Sequence, residues 1–307
     1  MERKRCCLEH GVAGGVNHYY ICDRCRHQQY PGLPGQRPGG DREEPDAARD
    51  QGRGLRGSLG AFSSALREGI DGAVADAARR TGKTPEELAP SMCIASGMIT
   101  SELGLCEIPH LAAPAGLDDL ASHVVARRFA GISPSPFVFI PGVKIPGDPF
   151  AEDPVASPDM MRGEETQIMG LLVNRSPSTP VLVTILGSHT KFIVVDAQGR
   201  ISRSLTTLSG ELIKAINSAT ILSSSLPRHM PDRRAASAEL VRKGIRLAEG
   251  SGFTRSLFAL RLLNRLSSLG PEDCFDLLAG VAAAEDLRAL LTSGLLDAPL
   301  RTVLLAG

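Results

Sequence analysis

From residue 58 onward the chain switches between two hydrophobic periods. Leu59, Phe62, Leu66, Ile70, Val74 and Ala77 recur every three or four positions, which lines one face of a helix, so 58–81 is predicted helical. Thr84-Pro85-Glu86-Glu87 has the make-up of a short helix start. Residues 92–95 form a short apolar run that stops at Ser96-Gly97-Met98 and reads as a buried strand. The 107–111 segment contains Pro109, which removes a ladder donor and points to a sheet edge. A helix over 117–128, a strand over 137–140 and a Pro- and Asp-rich loop over 143–158 follow. The pattern then predicts a helix at 164–174, a strand at 181–186, and a hairpin of 192–196 with 200–204 around Gln198-Gly199. Helices at 209–222, 237–248, 255–269 and 271–291 and a strand at 302–306 complete the series. Strands alternating with helices define an α/β class.

The first 56 residues differ in kind. All three tyrosines, four of seven cysteines and three of seven histidines lie there, and 31–56 is a mixture of Gly, Pro and charge. Such a mixture cannot bury enough apolar surface to offset its ordering entropy, so 1–56 is predicted disordered. The organisation expected is therefore a disordered 1–56, a first lobe over 57–142, a loop over 143–158 and a second lobe over 159–307. Cys6, Cys7, His10, His18, Cys22, Cys25 and His27 cluster in the leading segment, and Cys22-Asp23-Arg24-Cys25 has zinc-knuckle spacing. With Gly-rich flanks and one irregular pair, an unstructured tail is the favoured account of them and no metal site is assigned.

Lys plus Arg and Asp plus Glu both number 34, so the formal net charge is zero, which argues against a dispersed nucleic-acid surface. No apolar run reaches the roughly 18 residues that span a bilayer, no secretory signal follows the charged N-terminus, and an odd, scattered set of seven cysteines suits a reduced cytoplasmic chain.

The candidate chemistry begins after the 181–186 strand, at Gly187-Ser188-His189-Thr190-Lys191. Glycine lets a backbone approach an anion, hydroxyls and turn amides donate to phosphate oxygens, and lysine offsets charge. The same residues also suit a plain polar hairpin turn. Upstream, Asp159-Met160-Met161-Arg162-Gly163-Glu164-Glu165-Thr166 places two acids at a helix start, where the helix dipole alone would favour them. Adjacent helical residues diverge by about 100°, so one acid at most is expected to face a ligand.

These segments, with Ala95-Ser96-Gly97-Met98-Ile99-Thr100-Ser101, Pro114-Ala115-Gly116 and Ser209-Gly210-Glu211-Leu212, resemble the 2-dehydro-3-deoxygalactonokinase family, and the similarity runs from about Leu59 to Gly307. The resemblance implies an actin-like ATPase (ribonuclease H-like) fold of two lobes around a cleft. It implies Mg2+- and ATP-dependent phosphorylation of 2-dehydro-3-deoxy-D-galactonate at its 6-hydroxyl, with no nucleic-acid or membrane partner; a homodimer is one candidate assembly, and the sequence leaves the oligomeric state open. On it, Gly187, Ser188, His189, Thr190 and Lys191 form a phosphate loop, with Lys191 also catalytic, and Ser209, Gly210, Glu211 and Gly307 belong to the phosphate and ATP site. Glu164, ahead of Glu165, is the favoured base or magnesium-shell ligand. Arg162 grips the substrate carboxylate, its alternative being a salt bridge to Glu165 or Asp159, and Ser96, Gly97 and Thr100 line the sugar-acid pocket. Two departures stand out. The family's opening strand, Asp-x-Gly turn and hairpin have no counterpart legible in 1–56, and the glycine-rich adenine turn is not reached by residue 307. An incomplete fold, an impaired sugar-acid-binding relative, or misplaced coding ends are the expectations that follow.

Overall fold

The computed structural model describes residues 8–13, 16–21, 47–150, 152, 158–228 and 235–306, with side chains described from residue 60 onward, Ala61 excepted. In chain order the elements are β1 (Leu8–Ala13), β2 (Val16–Ile21), α1 (Ala47–Thr81), β3 (Cys93–Ala95), β4 (Leu111–Ala112), α2 (Leu117–Ser122), β5 (Val125–Arg127), β6 (Phe137–Phe139), β7 (Val143–Ile145), β8 (Asp159–Met161), α3 (Glu164–Arg175), β9 (Val181–Ile185), β10 (Thr190–Val195), β11 (Ile201–Thr207), α4 (Ser209–Ala219), α5 (Ala238–Ser251), α6 (Phe253–Leu266), α7 (Pro271–Thr292) and β12 (Thr302–Ala306). Among the described residues no helix is long and apolar enough to cross a membrane.

The chain forms two compact units and passes between them more than once. The first comprises Met1–Leu111, Leu117–Gly142 and Met161–Gln167. Its sheet runs β1-β2-β3-β6-β5, with β2, β3 and β6 parallel and both flanking pairs antiparallel. Phe137 and Phe139 are fully buried on β6, and Phe129 meets both edge-on at 5.7 and 6.0 Å. Such edge-to-face pairs suit the ring quadrupole and add about 1 kcal/mol each to the burial itself.

The second unit comprises Ala112–Gly116, Val143–Met160 and Ile168–Gly307. Its sheet runs β11-β10-β9-β12: an antiparallel meander extended by β12, which lies parallel to β9. Every residue of β10 is buried. In the helical layer α5 and α7 cross in backbone contact, because a methyl at Gly244 or Gly280 would stand 2.1 Å from a carbonyl oxygen of the other helix.

Most boundaries fall within a few residues of those predicted, and β12 matches at both ends. Three expectations are corrected. β1 and β2 pair antiparallel and α1 starts at Ala47, within the stretch predicted to be disordered and without a hairpin. Composition averaged over 56 residues hides short local runs of strand formers such as Val16-Asn17-His18-Tyr19-Tyr20-Ile21. The helix expected over 117–128 stops at Ser122, and β5 then pairs with β6, since Val124-Val125 prefers a pleated surface. The loop expected over 143–158 opens with β7.

Candidate functional site

In the second unit, β9 leads into a tight turn, Gly187 to His189, before β10. Thr190 and Lys191 are the first two residues of β10 and are buried, so the turn is shorter than the five-residue loop expected. The first turn of α4 lies against it. The Glu211 N–H donates to the Ser188 carbonyl at 2.8 Å. Gly210 leaves no room for a side chain, since a Cβ there would be 2.1 Å from the Gly187 carbonyl oxygen. His189 Nε2 stands 3.4 Å from Glu211 Oε1 on the partly exposed rim. Two motifs more than twenty positions apart in sequence are thus one surface. Among the described residues, the N–H groups of Gly187, Ser188 and His189 find no protein acceptor. Amides beside a helix N-terminus are what an anion would meet there.

Lys191 is not at the tip of this turn. It is 4% exposed, and its Nζ donates to the Met160 carbonyl at 2.8 Å and to Thr206 Oγ1 at 2.7 Å. Thr206 in turn donates to Asp159 Oδ2 at 3.0 Å, as does Ser204 at 2.6 Å. The ammonium therefore ties β8 to β10 and β11, with two of its three N–H groups given to protein acceptors. Ser209 Oγ contacts Thr207 Oγ1 at 2.9 Å, and both hydroxyls donate to Asp286 Oδ1. Ser209 also borders an apolar cavity of about 280 Å3 lined by Leu212, Ile216, Phe253 and Leu278.

In the first unit, Arg162 follows β8 and its guanidinium reaches the 97–110 segment. Nη1 donates to the Thr100 carbonyl and to Thr100 Oγ1, each at 2.6 Å, and Nη2 donates to the Ile108 carbonyl at 3.0 Å and lies 3.1 Å from His110 Nδ1. Among these contacts there is neither of the salt bridges expected of it, and its terminal nitrogens are engaged by the protein rather than left for a bidentate grip on a ligand. Thr100 is fully buried and its hydroxyl also donates to the Gly97 carbonyl at 2.9 Å, closing a short 3-10 turn over Gly97–Thr100. Ser96 precedes that turn without capping it.

Glu164 and Glu165 open α3, and both are buried. Gly163 adopts φ 112°, a left-handed conformation that suits glycine, and aims its N–H back at the Glu165 carboxyl at 2.8 and 2.9 Å. Thr166 Oγ1 donates to the same carboxyl at 3.2 Å, while Glu164 Oε2 accepts from the Arg162 N–H at 3.1 Å. Burial pushes the Glu165 carboxyl up to about 7, against the pull of its hydrogen bonds. Both carboxyls are held by backbone N–H groups of the preceding turn, Glu165 by that of Gly163 and Glu164 by that of Arg162.

Sequence reasoning passed over Asp286 and gave Asp159 only a salt-bridge role. The cue for Asp286 was there: Leu278, Ala282, Asp286 and Leu290 stand four apart on one buried stripe, where an acid must find partners. Among the described residues no three His, Cys, Asp or Glu side chains converge as a metal cage. Gly307 and the side chains of the leading Cys/His cluster lie outside the described residues.

Comparison with known proteins gives this geometry a context. Residues 47–307 match the family model of 2-keto-3-deoxy-galactonokinase. The chain belongs to that family. It is 28% identical over 211 residues to the probable 2-dehydro-3-deoxygalactonokinase DgoK1 of Rhizobium meliloti (strain 1021), a match covering 66% of this chain and 63% of the relative, so the matched part spans less than two thirds of that protein. Its fold is similar to a crystal structure of a protein assigned as a 2-dehydro-3-deoxygalactonokinase from Sinorhizobium meliloti, with TM-score 0.59, 24% identity and coverage of 78% of this chain and 74% of the other.

Proposed function

We propose that this chain transfers the terminal phosphoryl group of ATP to the 6-hydroxyl of 2-dehydro-3-deoxy-D-galactonate, as a cytoplasmic kinase of galactonate breakdown. The observation that carries the proposal is the joined turn and helix start, Gly187–Ser188–His189 against Ser209–Gly210–Glu211, in a chain of this kinase family. In this reading the second unit takes the nucleotide. Amides of the turn hold the phosphates, and the apolar cavity beside Ser209 takes the base. Magnesium supplies charge neutralisation on the phosphates when bound. It would enter with the nucleotide, bound to its phosphates.

The first unit takes the sugar acid, with Ser96 and Gly97 lining the site and Thr100 and Arg162 holding its shape. Of the two acids we favour Glu165 to accept the hydroxyl proton, because a carboxyl raised to about 7 can take a proton and release it at neutral pH. Lys191 contributes by anchoring Met160 rather than by touching phosphate. We read the two units as lobes of an actin-like ATPase fold. The antiparallel meander extended by parallel β12 supports this reading.

The test is ADP release by the purified chain given MgATP and 2-dehydro-3-deoxy-D-galactonate, with mass spectrometry of the product. Sugar-acid-dependent ADP release and a monophosphate product are expected. Sugar-acid binding without ADP release would replace the kinase by a binding protein.

A further inference from the structure

We propose that Asp286 is the residue that positions the phosphate turn, acting through the first turn of α4. The proposal rests on the nucleotide assignment above. Asp286 is 8% exposed within α7, and its Oδ1 accepts from Thr207 Oγ1 at 2.6 Å and from Ser209 Oγ in a short contact. Thr207 ends β11 and Ser209 begins α4, so one carboxyl oxygen pins strand end and helix start together across Leu208. Two residues on, the Glu211 N–H holds the Ser188 carbonyl at 2.8 Å. Between these links sits Gly210, in backbone contact with Gly187 and Ser188 and with no space to give.

The connection from α7 to the turn is therefore short and stiff: carboxyl to Ser209, helix start to Glu211, Glu211 amide to Ser188. A helix start free to rotate would carry Gly187 and Ser188 with it and spoil the aim of the turn amides. Packing alone gives no reason for an acid here, because the same stripe of α7 holds Leu278, Ala282 and Leu290, and a buried carboxyl must recover its hydration through bonds such as these. Asp286 is thus a positioning residue and touches neither substrate.

Asp286→Ala and Asp286→Asn are compared with the unaltered chain by steady-state kinetics well below each variant's own melting temperature. For D286A the KM for MgATP is expected to rise about tenfold while the KM for the sugar acid stays within about twofold, since a displaced contact shell costs nucleotide alignment specifically. D286N retains one acceptor oxygen and is expected to fall between. A lowered melting temperature with both KM values and kcat unchanged would overturn the proposal and leave Asp286 a packing residue. Amide hydrogen exchange at Glu211, with Ile193 in buried β10 as reference, separates this from the kinase reading. Loss of protection at Glu211 alone is expected, even if the chain transfers no phosphoryl group. Unchanged Glu211 protection in D286A would sink the positioning role whatever the activity. Should D286A fail to fold, Ser209→Ala, which removes the helix-side hydroxyl and keeps the carboxyl, carries the same two readouts with the same expected and overturning results.

Discussion

In the first unit the Arg162 guanidinium meets two carbonyls, a hydroxyl and an imidazole nitrogen, while in the second the amides of Gly187, Ser188 and His189 meet no protein acceptor among the described residues. The charged group is the one the fold has used up, and the neutral backbone is the one it leaves on offer. A formal positive charge is therefore a poor guide to which donors this fold leaves without a protein acceptor among the described residues. Lys191 teaches the same lesson, with its ammonium held by Met160 and Thr206 inside a network closed by Asp159. Backbone donors held rigid by a helix start need no lysine at the tip to attract phosphate.

That contrast can be broken at several points. The largest effect is expected from Gly210→Ala, whose methyl would collide with the Gly187 carbonyl. Moving the turn should lower phosphoryl transfer by about 100-fold, the usual cost of misplacing a binding group by about an ångström. Nucleotide titration should weaken in parallel, and an unchanged nucleotide affinity would remove the turn from the site. Next comes Arg162→Met, which strips donors from the Thr100 and Ile108 carbonyls and is expected to destabilise the fold by about 3 kcal/mol. The urea midpoint measures that loss, and nucleotide affinity in the folded protein should not change.

Glu165→Gln should sharpen the comparison through pH. The Glu165 carboxyl is raised from 4.5 to about 7, so the folded state holds its proton longer than the unfolded chain does. Its contribution is fully present below the unfolded value and is lost as pH rises through about 7, a loss of roughly 2 kcal/mol between about pH 5 and about pH 8. Melting curves across that range should fall more steeply for the native chain than for E165Q, and parallel curves would deny the shift. The smallest effect is expected from Glu211→Gln. Its partner His189 and its own side chain are both substantially exposed, so stability should change by less than about 0.5 kcal/mol in a denaturant melt. A larger change would mean that this rim pair helps to hold the turn.

Much of the second unit was legible in advance. The apolar run 181–186, the Gln198-Gly199 hairpin and Pro271-Glu272 at a helix start are local signals, and β9, β10, β11 and α7 form where those signals point. The candidate residues were legible as types but not as roles. Arg162 and Lys191 read as ligand-facing because a guanidinium matches a carboxylate and an ammonium offsets phosphate charge, yet both turn to protein carbonyls and hydroxyls contributed by other segments. Asp286 read as one more helical position, because its partners Thr207 and Ser209 lie more than seventy residues away.

The amino-acid sequence by itself determined the α/β class, the order of most elements and the family, because periodicity, turn residues and short motifs are properties of neighbours along the chain. Tertiary structure alone decided which charges are satisfied and which amides meet no protein acceptor among the described residues. It joined Gly187–Ser188–His189 to Ser209–Gly210–Glu211, buried Glu165 until its carboxyl titrates near neutrality, and set Asp286 beneath α4. Hydrogen-bond partnership and burial depend on what folding brings within about 3 Å, and no local pattern records that distance.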